Sequence, residues 1–353
     1  MGSAKSRFRA SVKGSKLASL ACIVFCCFIT ACGRYGGTAS SASGQSAQAA
    51  PYATPPGRRD AALAYDPQLR RLLMFGGGLA YAPVTDTWAW DGKGWTQLHP
   101  QTVPTGSPIS MVYDATNHQL LLFTTDQNGN TIWTWNRDDW SKLRTFPPLA
   151  CAKTASGATC APSTEVSPDI FGSAVYDAAL GKVVMQGGRE TWSWDGRNWA
   201  MITSADPSSA LCFCLGYDSS HRQLLTLMQS GGKVLAATNH TLILEGTRWQ
   251  VLAATTPIGI RMLLVDDPAS SLLLILLVNQ STDGSSSSQA MWSWNGNSWT
   301  PVDVTLPPIL VGASVGYDAA SKRVVLFGGL DSYGSGVSDT WLWDGHTWQK
   351  AGH

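Results

Sequence analysis

The chain has 353 residues, of which 14% are charged, while glycine reaches 35 and tryptophan 16. Few charges with many Gly, Ser, Thr and Trp suit short strands and tight turns rather than helices. The formal net charge is +1; setting aside Lys5, Arg7, Arg9, Lys13 and Lys16 leaves 20 basic residues against 24 acidic ones, which argues against nucleic acid as a partner.

Those five cations precede the apolar run 17–31, LASLACIVFCCFITA, and then Cys32. A basic start, an apolar stretch of 15 residues and a small-residue exit describe a secretory signal. The run is short for a membrane span, which needs about 20 apolar residues. Ile29-Thr30-Ala31-Cys32 resembles the lipobox of bacterial lipoproteins. That resemblance implies cleavage before Cys32, a diacylglycerol on its sulfur, and a lipid-anchored protein on the extracytoplasmic face of a bacterial cell membrane. Met1-Gly2-Ser3-Ala4-Lys5-Ser6 also fits a myristoylation pattern, which the hydrophobic run behind it outweighs. Residues 33–57 are almost all Gly, Ser, Ala, Gln, Thr and Pro with one charge, too little apolar surface to offset ordering entropy. The expected organisation is therefore a signal peptide at 1–31, a flexible tether at 32–58 and one folded domain at 59–353.

Of eight cysteines, Cys22, Cys26 and Cys27 leave with the signal and Cys32 carries the lipid. An oxidising compartment favours disulfides among the four that remain. Cys151 and Cys160 flank one irregular loop and are the expected pair. Cys212 and Cys214 share a strand face at a separation that disfavours bridging each other, and are expected as buried thiols. A four-cysteine zinc site lacks its CxxC knuckles, so no metal site is expected.

The domain is built from six copies of one unit. A small or apolar stretch ends at Asp66, Asp114, Asp177, Asp218, Asp267 and Asp318, followed by a turn and an apolar run. The pattern W-x-W-[D/N]-G-x-x-W follows at 88–95, 192–199, 292–299 and 341–348, with variants at 133–140 and 242–249. All 16 tryptophans fall inside these units. Each copy reads as four strands; in the third, a is 171–177, b is 182–186, c is 191–194 and d is 198–202. The Asp195-Gly196 pair between c and d is a hairpin turn signal. Strand b does not alternate, as at 72–75, so both its faces are covered. Four-stranded antiparallel units stacked around an axis satisfy this: an all-β, six-bladed β-propeller.

A double glycine after strand b, at Gly76-Gly77, Gly187-Gly188 and Gly328-Gly329, with the aromatic and Trp further on, resembles the kelch repeat over essentially all of 60–353. The departures are a tight Asp-Gly turn with Trp194 and Trp199 five positions apart, and Thr124-Thr125, Met228-Gln229 and Leu277-Val278 in place of the double glycine. The WDGxxW turn is also similar to the Asp-box of sialidases, whose S-x-D-x-G spacing is absent. The recurring Trp residues, and Tyr65, Tyr113, Tyr176, Tyr217 and Tyr317, are expected to be buried between blades rather than offered to a ligand.

Loop lengths separate scaffold from function. The repeat Asp lies 11 residues before the second glycine position in every copy, and the first and last Trp positions are always 7 apart. The b–c gap varies as 11, 8, 4, 13, 14 and 12, and the d–a gap as 19, 37, 19, 18 and 19. Both variable loops share one end of an up-and-down blade, so all length variation lies on one rim, where binding sites usually lie. The insertion of about 18 residues holding Cys151 and Cys160 is on that rim too. Candidates for contact there are Tyr81, Asp126, Asn128, Arg189, Glu190, Asp331 and Tyr333.

Kelch-type propellers include copper enzymes of the galactose oxidase kind, but His99, His118, His221, His240, His346 and His353 are scattered over blades and ends and match no copper arrangement. No pair among Asp126, Glu165, Glu190, Asp283 and Asp331 is singled out as a glycosidase dyad. Gly334-Ser335-Gly336 lacks a nucleophile-elbow context. No catalytic residue and no cofactor are therefore expected. The expected role is a monomeric binding or interaction module whose partner is a protein or cell-surface glycan; the alternative is a secreted carbohydrate-active or oxidase-type enzyme using the same rim. Cys32→Ser is expected to release the protein from membranes, checked by fractionation of cells expressing it.

Overall fold

The computed structural model describes residues 52–79, 82–147, 151–154, 157–160, 168, 172–187, 190–203, 214–230, 238–252, 257, 259, 261–280, 287–308, 311–331 and 333–352. The expected signal segment, Cys32, Tyr81, Arg189 and Cys212 lie outside them. Six antiparallel four-stranded sheets follow in chain order, each ordered a-b-c-d, and form a six-bladed β-propeller. Blade one comprises Ala62–Asp66, Arg71–Phe75, Thr87–Trp90 and Trp95–Leu98. Blade two comprises Ser107–Asp114, Gln119–Asp126, Gly129–Asn136 and Asp139–Phe146, and blade three Ala174–Asp177, Lys182–Gly187, Glu190–Trp194 and Trp199–Thr203. Blade four comprises Leu215–Asp218, Gln223–Ser230, Thr238–Glu245 and Arg248–Leu252. Blade five comprises Arg261–Asp267, Leu272–Gln280, Ser287–Trp294 and Trp299–Pro301, and blade six Ser314–Asp318, Arg323–Phe327, Thr340–Trp343 and Trp348–Lys350. Between blades two and three a separate ladder pairs Cys151–Thr154 with Gly157–Cys160 and sets Cys151 directly opposite Cys160.

Each blade is fixed by its two tight turns. The repeat aspartate is buried, and its carboxylate accepts backbone N–H groups from the turn it opens: Asp66 from Gln68 at 2.8 Å and Leu69 at 3.2 Å, with Asp114, Asp177 and Asp218 alike. Four residues after it the backbone turns left-handed, at Arg70, His118, Gly181, Arg222, Ser271 and Lys322, with φ between 52° and 65°. In the c–d turn the carboxylate of Asp91, Asp195 or Asp344 likewise accepts two N–H groups, and Gly92, Gly196 and Gly345 supply φ of 92° to 96°.

Blades join through their tryptophans. In three joints the last Trp of a blade lies against a phenylalanine of strand b of the preceding one: Trp140 on Phe75 at 5.7 Å, Trp199 on Phe123 at 6.0 Å and Trp95 on Phe327 at 5.3 Å between ring centroids. Its indole N–H also donates to the threonine at the head of the preceding strand c: Trp140 to Thr87 at 3.0 Å, and Trp249 to Thr191, Trp299 to Thr241 and Trp95 to Thr340 at 2.9 Å each. Ile132 and Met291 hold that position in blades two and five. The tryptophans thus serve as buried wedges, as expected, while most of the recurring tyrosines are only half-buried.

Blade six meets blade one through backbone hydrogen bonds as well as side chains. Trp95 to Thr340 is the same joint made across the closure. Residues 52–60, mostly assigned to the tether on composition, run between the two blades as a clasp. Tyr52 Oη donates to Asp91 Oδ2 at 2.8 Å and Ala53 N to Trp95 O at 2.9 Å, beside the c–d turn of blade one. At the other end Gly329 N donates to Arg58 O at 2.7 Å, Arg59 N to Gly78 O at 3.0 Å and Asp60 N to Gly312 O at 2.7 Å. The Arg58 side chain is 1% exposed and forks onto both carboxylate oxygens of Asp86, while donating to the carbonyls of Gly76 and Pro56 at 3.0 Å. Burial pushes the Asp86 carboxyl up, but hydrogen bonds from Arg58 and Trp88 and the Arg58 charge hold it below the ordinary carboxylate value. Cys214 is buried, as expected.

Arg58→Ala leaves the Asp86 charge without its partner and is expected to lower stability by about 3 kcal/mol in chemical denaturation. The loss is full at neutral pH and shrinks in acid as the pH falls toward the lowered value of Asp86, where the pair loses its charge.

Candidate functional site

The first strands of all six blades stand around the axis, and their entry ends enclose a cavity of about 550 Å³. Its wall is Asp60 to Leu63 from blade one, Pro108 to Met111 from blade two, Gly172 to Val175 from blade three, Cys214 and Leu215 from blade four, Met262 to Leu264 from blade five and Ala313 to Val315 from blade six. These are the ends reached by the d–a connections. The cavity therefore belongs to the rim where loop length varies, as the spacing arithmetic places the binding end.

Small side chains at this end permit the six strands to approach, and hydroxyls stitch them. Ala174 N donates to Ser110 Oγ at 3.2 Å, Leu215 N to Ser173 Oγ at 3.3 Å, and Ser314 Oγ to Ala61 O at 2.7 Å. Each serine lies four residues before its repeat aspartate and bonds the next blade. The same position is Ala62, Cys214 and Leu263 in the other three. With the serines so engaged, the described wall residues offer apolar groups such as Leu63, Ile109, Met262 and Leu264, and the carboxylate of Asp60, exposed and 3.6 Å from Arg59. Such a funnel holds an uncharged or weakly polar group by burial and shape. Among the described residues no three His, Cys, Asp or Glu side chains converge as a metal site would need.

None of the described rim residues singled out in the sequence belongs to the described cavity wall. Asp126 lies in a two-residue b–c hairpin, where its carboxylate accepts the Asn128 N–H at 2.7 Å and closes the turn. Asn128 itself is exposed. Glu190 accepts from the Trp192 indole at 3.0 Å, as Asp86 does from Trp88 at 2.8 Å, so this acid orients a core tryptophan. Asp331 accepts the N–H groups of Tyr333 and Ser335, both at 2.9 Å, shaping a loop whose tip displays Tyr333 at 92% exposure. Tyr333 and Asn128 are thus the described candidates left turned to solvent. The funnel wall itself escaped the sequence reading because Ala, Ser, Leu and Met carry no chemical signature. The acids two residues before the first Trp, Asp86, Glu190 and Asp339, are a repeat feature that marks Glu190 as scaffold.

No protein-family model matches the chain, and no curated protein does. Among solved structures it is similar to the GH74 xyloglucanase of Xanthomonas campestris, at 14% identity and a TM-score of 0.47, covering 82% of this chain and 46% of that one. The GH74 enzyme of Niastella koreensis is similar at 14% identity and a TM-score of 0.44, with the same coverage. This chain spans about half the length of either, and the likeness concerns the fold alone.

Glu190→Ala is expected to cost about 1 kcal/mol through the lost Trp192 contact, whereas Tyr333→Ala stays within about 0.5 kcal/mol of wild type. Urea denaturation of both variants checks the contrast.

Proposed function

We propose that the protein is a kelch-like propeller carried outside the cytoplasm on a lipid anchor, where it binds a neutral group of a glycan or protein partner in the axial funnel. The observation that supports this most is the coincidence of two independent features at one end: the cavity enclosed by all six first strands, and all the variation in loop length. The described wall is largely apolar, which suits the burial of a neutral group. Exposed Tyr333, in the b–c loop of blade six, gives the same rim an aromatic side chain for a sugar ring or a protein surface. The lipobox-like Ile29-Thr30-Ala31-Cys32 supports the anchor, and the facing of Cys151 and Cys160 in one ladder supports a disulfide between them.

Thermal-shift titration of the protein with neutral cello-, xylo- and chito-oligosaccharides tests the glycan arm. Stabilisation growing with concentration is expected for at least one, and is lost in Ile109→Trp, which fills the funnel. Stabilisation that survives Ile109→Trp counts against the funnel, and release of shortened sugars counts for an enzyme instead.

A further inference from the structure

The residue before the repeat aspartate is Tyr65, Tyr113, Tyr176, Tyr217 and Tyr317 in five blades; in the fifth blade it is Asp266. This position sits at the invariant end, where a blade leans on the a–b turn of the one before it. Tyr176 places its hydroxyl 2.8 Å from Thr116 Oγ1 of that turn. Burial, and then the charges of Asp177 and Asp267 respectively, raise the Tyr217 and Tyr317 hydroxyls. Asp266 takes the equivalent place against blade four, accepting the Ser219 N–H at 3.3 Å.

Its surroundings are acidic. From blade four comes Asp218, wholly buried, with Oδ1 accepting the Ser220 and His221 N–H groups and Oδ2 2.7 Å from His221 Nδ1. From its own strand comes Asp267, 2% exposed, whose Oδ2 accepts from Ser270 Oγ at 2.7 Å. Asp267 Oδ1 has no hydrogen-bond partner among the described residues. From blade six comes Tyr317, and Arg222 of the blade-four turn acts on Tyr217 rather than on Asp266. No cation pairs with Asp266 among the described residues. At the funnel end this joint, like two others in the ring, lacks the stitching serine, with Cys214 in its place.

We propose that the joint between blades four and five is tightened by acid: protonated, Asp266 presents a neutral hydroxyl as the tyrosines do, and ionised, it stands against Asp218 and Asp267 and loosens the joint. Burial pushes the Asp266 carboxyl up to about 6, opposed by the hydrogen bonds of Ser219 and reinforced by the charges of Asp218 and Asp267. Its folded value lies above its unfolded one. The stability it contributes is therefore full below the ordinary 3.8 and is lost as pH rises through about 6.

Thermal unfolding of the intact protein, Asp266→Asn and Asp266→Tyr between pH 4.5 and 8 provides the test. Both variants are expected to gain on wild type as pH rises, with a difference of about 3 °C or more opening between pH 5 and pH 7.5. Hydrogen exchange reads the place: the amides of 219–222 and 269–271 lose protection above pH 6 in wild type but not in the variants, and those of 68–70 in blade one do not change. Parallel unfolding curves for the three proteins would overturn the proposal. So would equal loss of protection at both joints, or variants less stable than wild type at pH 7.5, since Asp266→Tyr restores the residue of the other five blades.

Discussion

A propeller has no single core; it has as many cores as joints, and all of them must be made at once for the ring to exist. Here the joint is a tryptophan on the outer strand of one blade, wedged on a phenylalanine and bonded to a threonine of the blade before it. The indole fits this role because it buries a large apolar area and carries one donor that can be satisfied across the gap. Ile132 and Met291 stand where the threonine is absent. The closure is held by the same contact and by the Arg58 clasp together, which suits the one joint no chain continuity supports.

This division of labour leaves the two ends of the ring with different duties. The a–b and c–d turns are fixed in length and held by buried or turn-forming carboxylates, and five of the six a–b turns accept a left-handed residue other than glycine. Strain of that kind is tolerated where surrounding hydrogen bonds over-determine the backbone. The other end carries the connections whose length can drift without disturbing a joint, and there the first strands draw together around a wall of small and apolar groups.

The blade was legible because its signals are local: a repeat aspartate, an Asp-Gly turn and tryptophans at constant spacing each announce themselves within a few residues. The clasp was not, because 52–58 has the composition of a linker and is ordered only by distant partners, Asp86, Gly78 and Gly329. The end of the ring that holds the cavity followed from loop arithmetic, while the wall did not, since its residues are chosen for smallness. Glu190 misled for an opposite reason. It is a charged residue near a variable loop, yet its partner is the indole two positions on. Asp266 was in plain view as the break in a tyrosine column, and only burial gives that break a meaning.

The clasp enters beside the c–d turn of blade one, at Tyr52 and Ala53, and reaches the cavity end only at Arg59 and Asp60. A pull on the chain at Tyr52 is therefore delivered to the invariant end of the ring, the end opposite the cavity. Load first meets the Tyr52–Asp91 and Ala53–Trp95 bonds at the near end, and must strip the whole depth of the blade before it reaches Arg58.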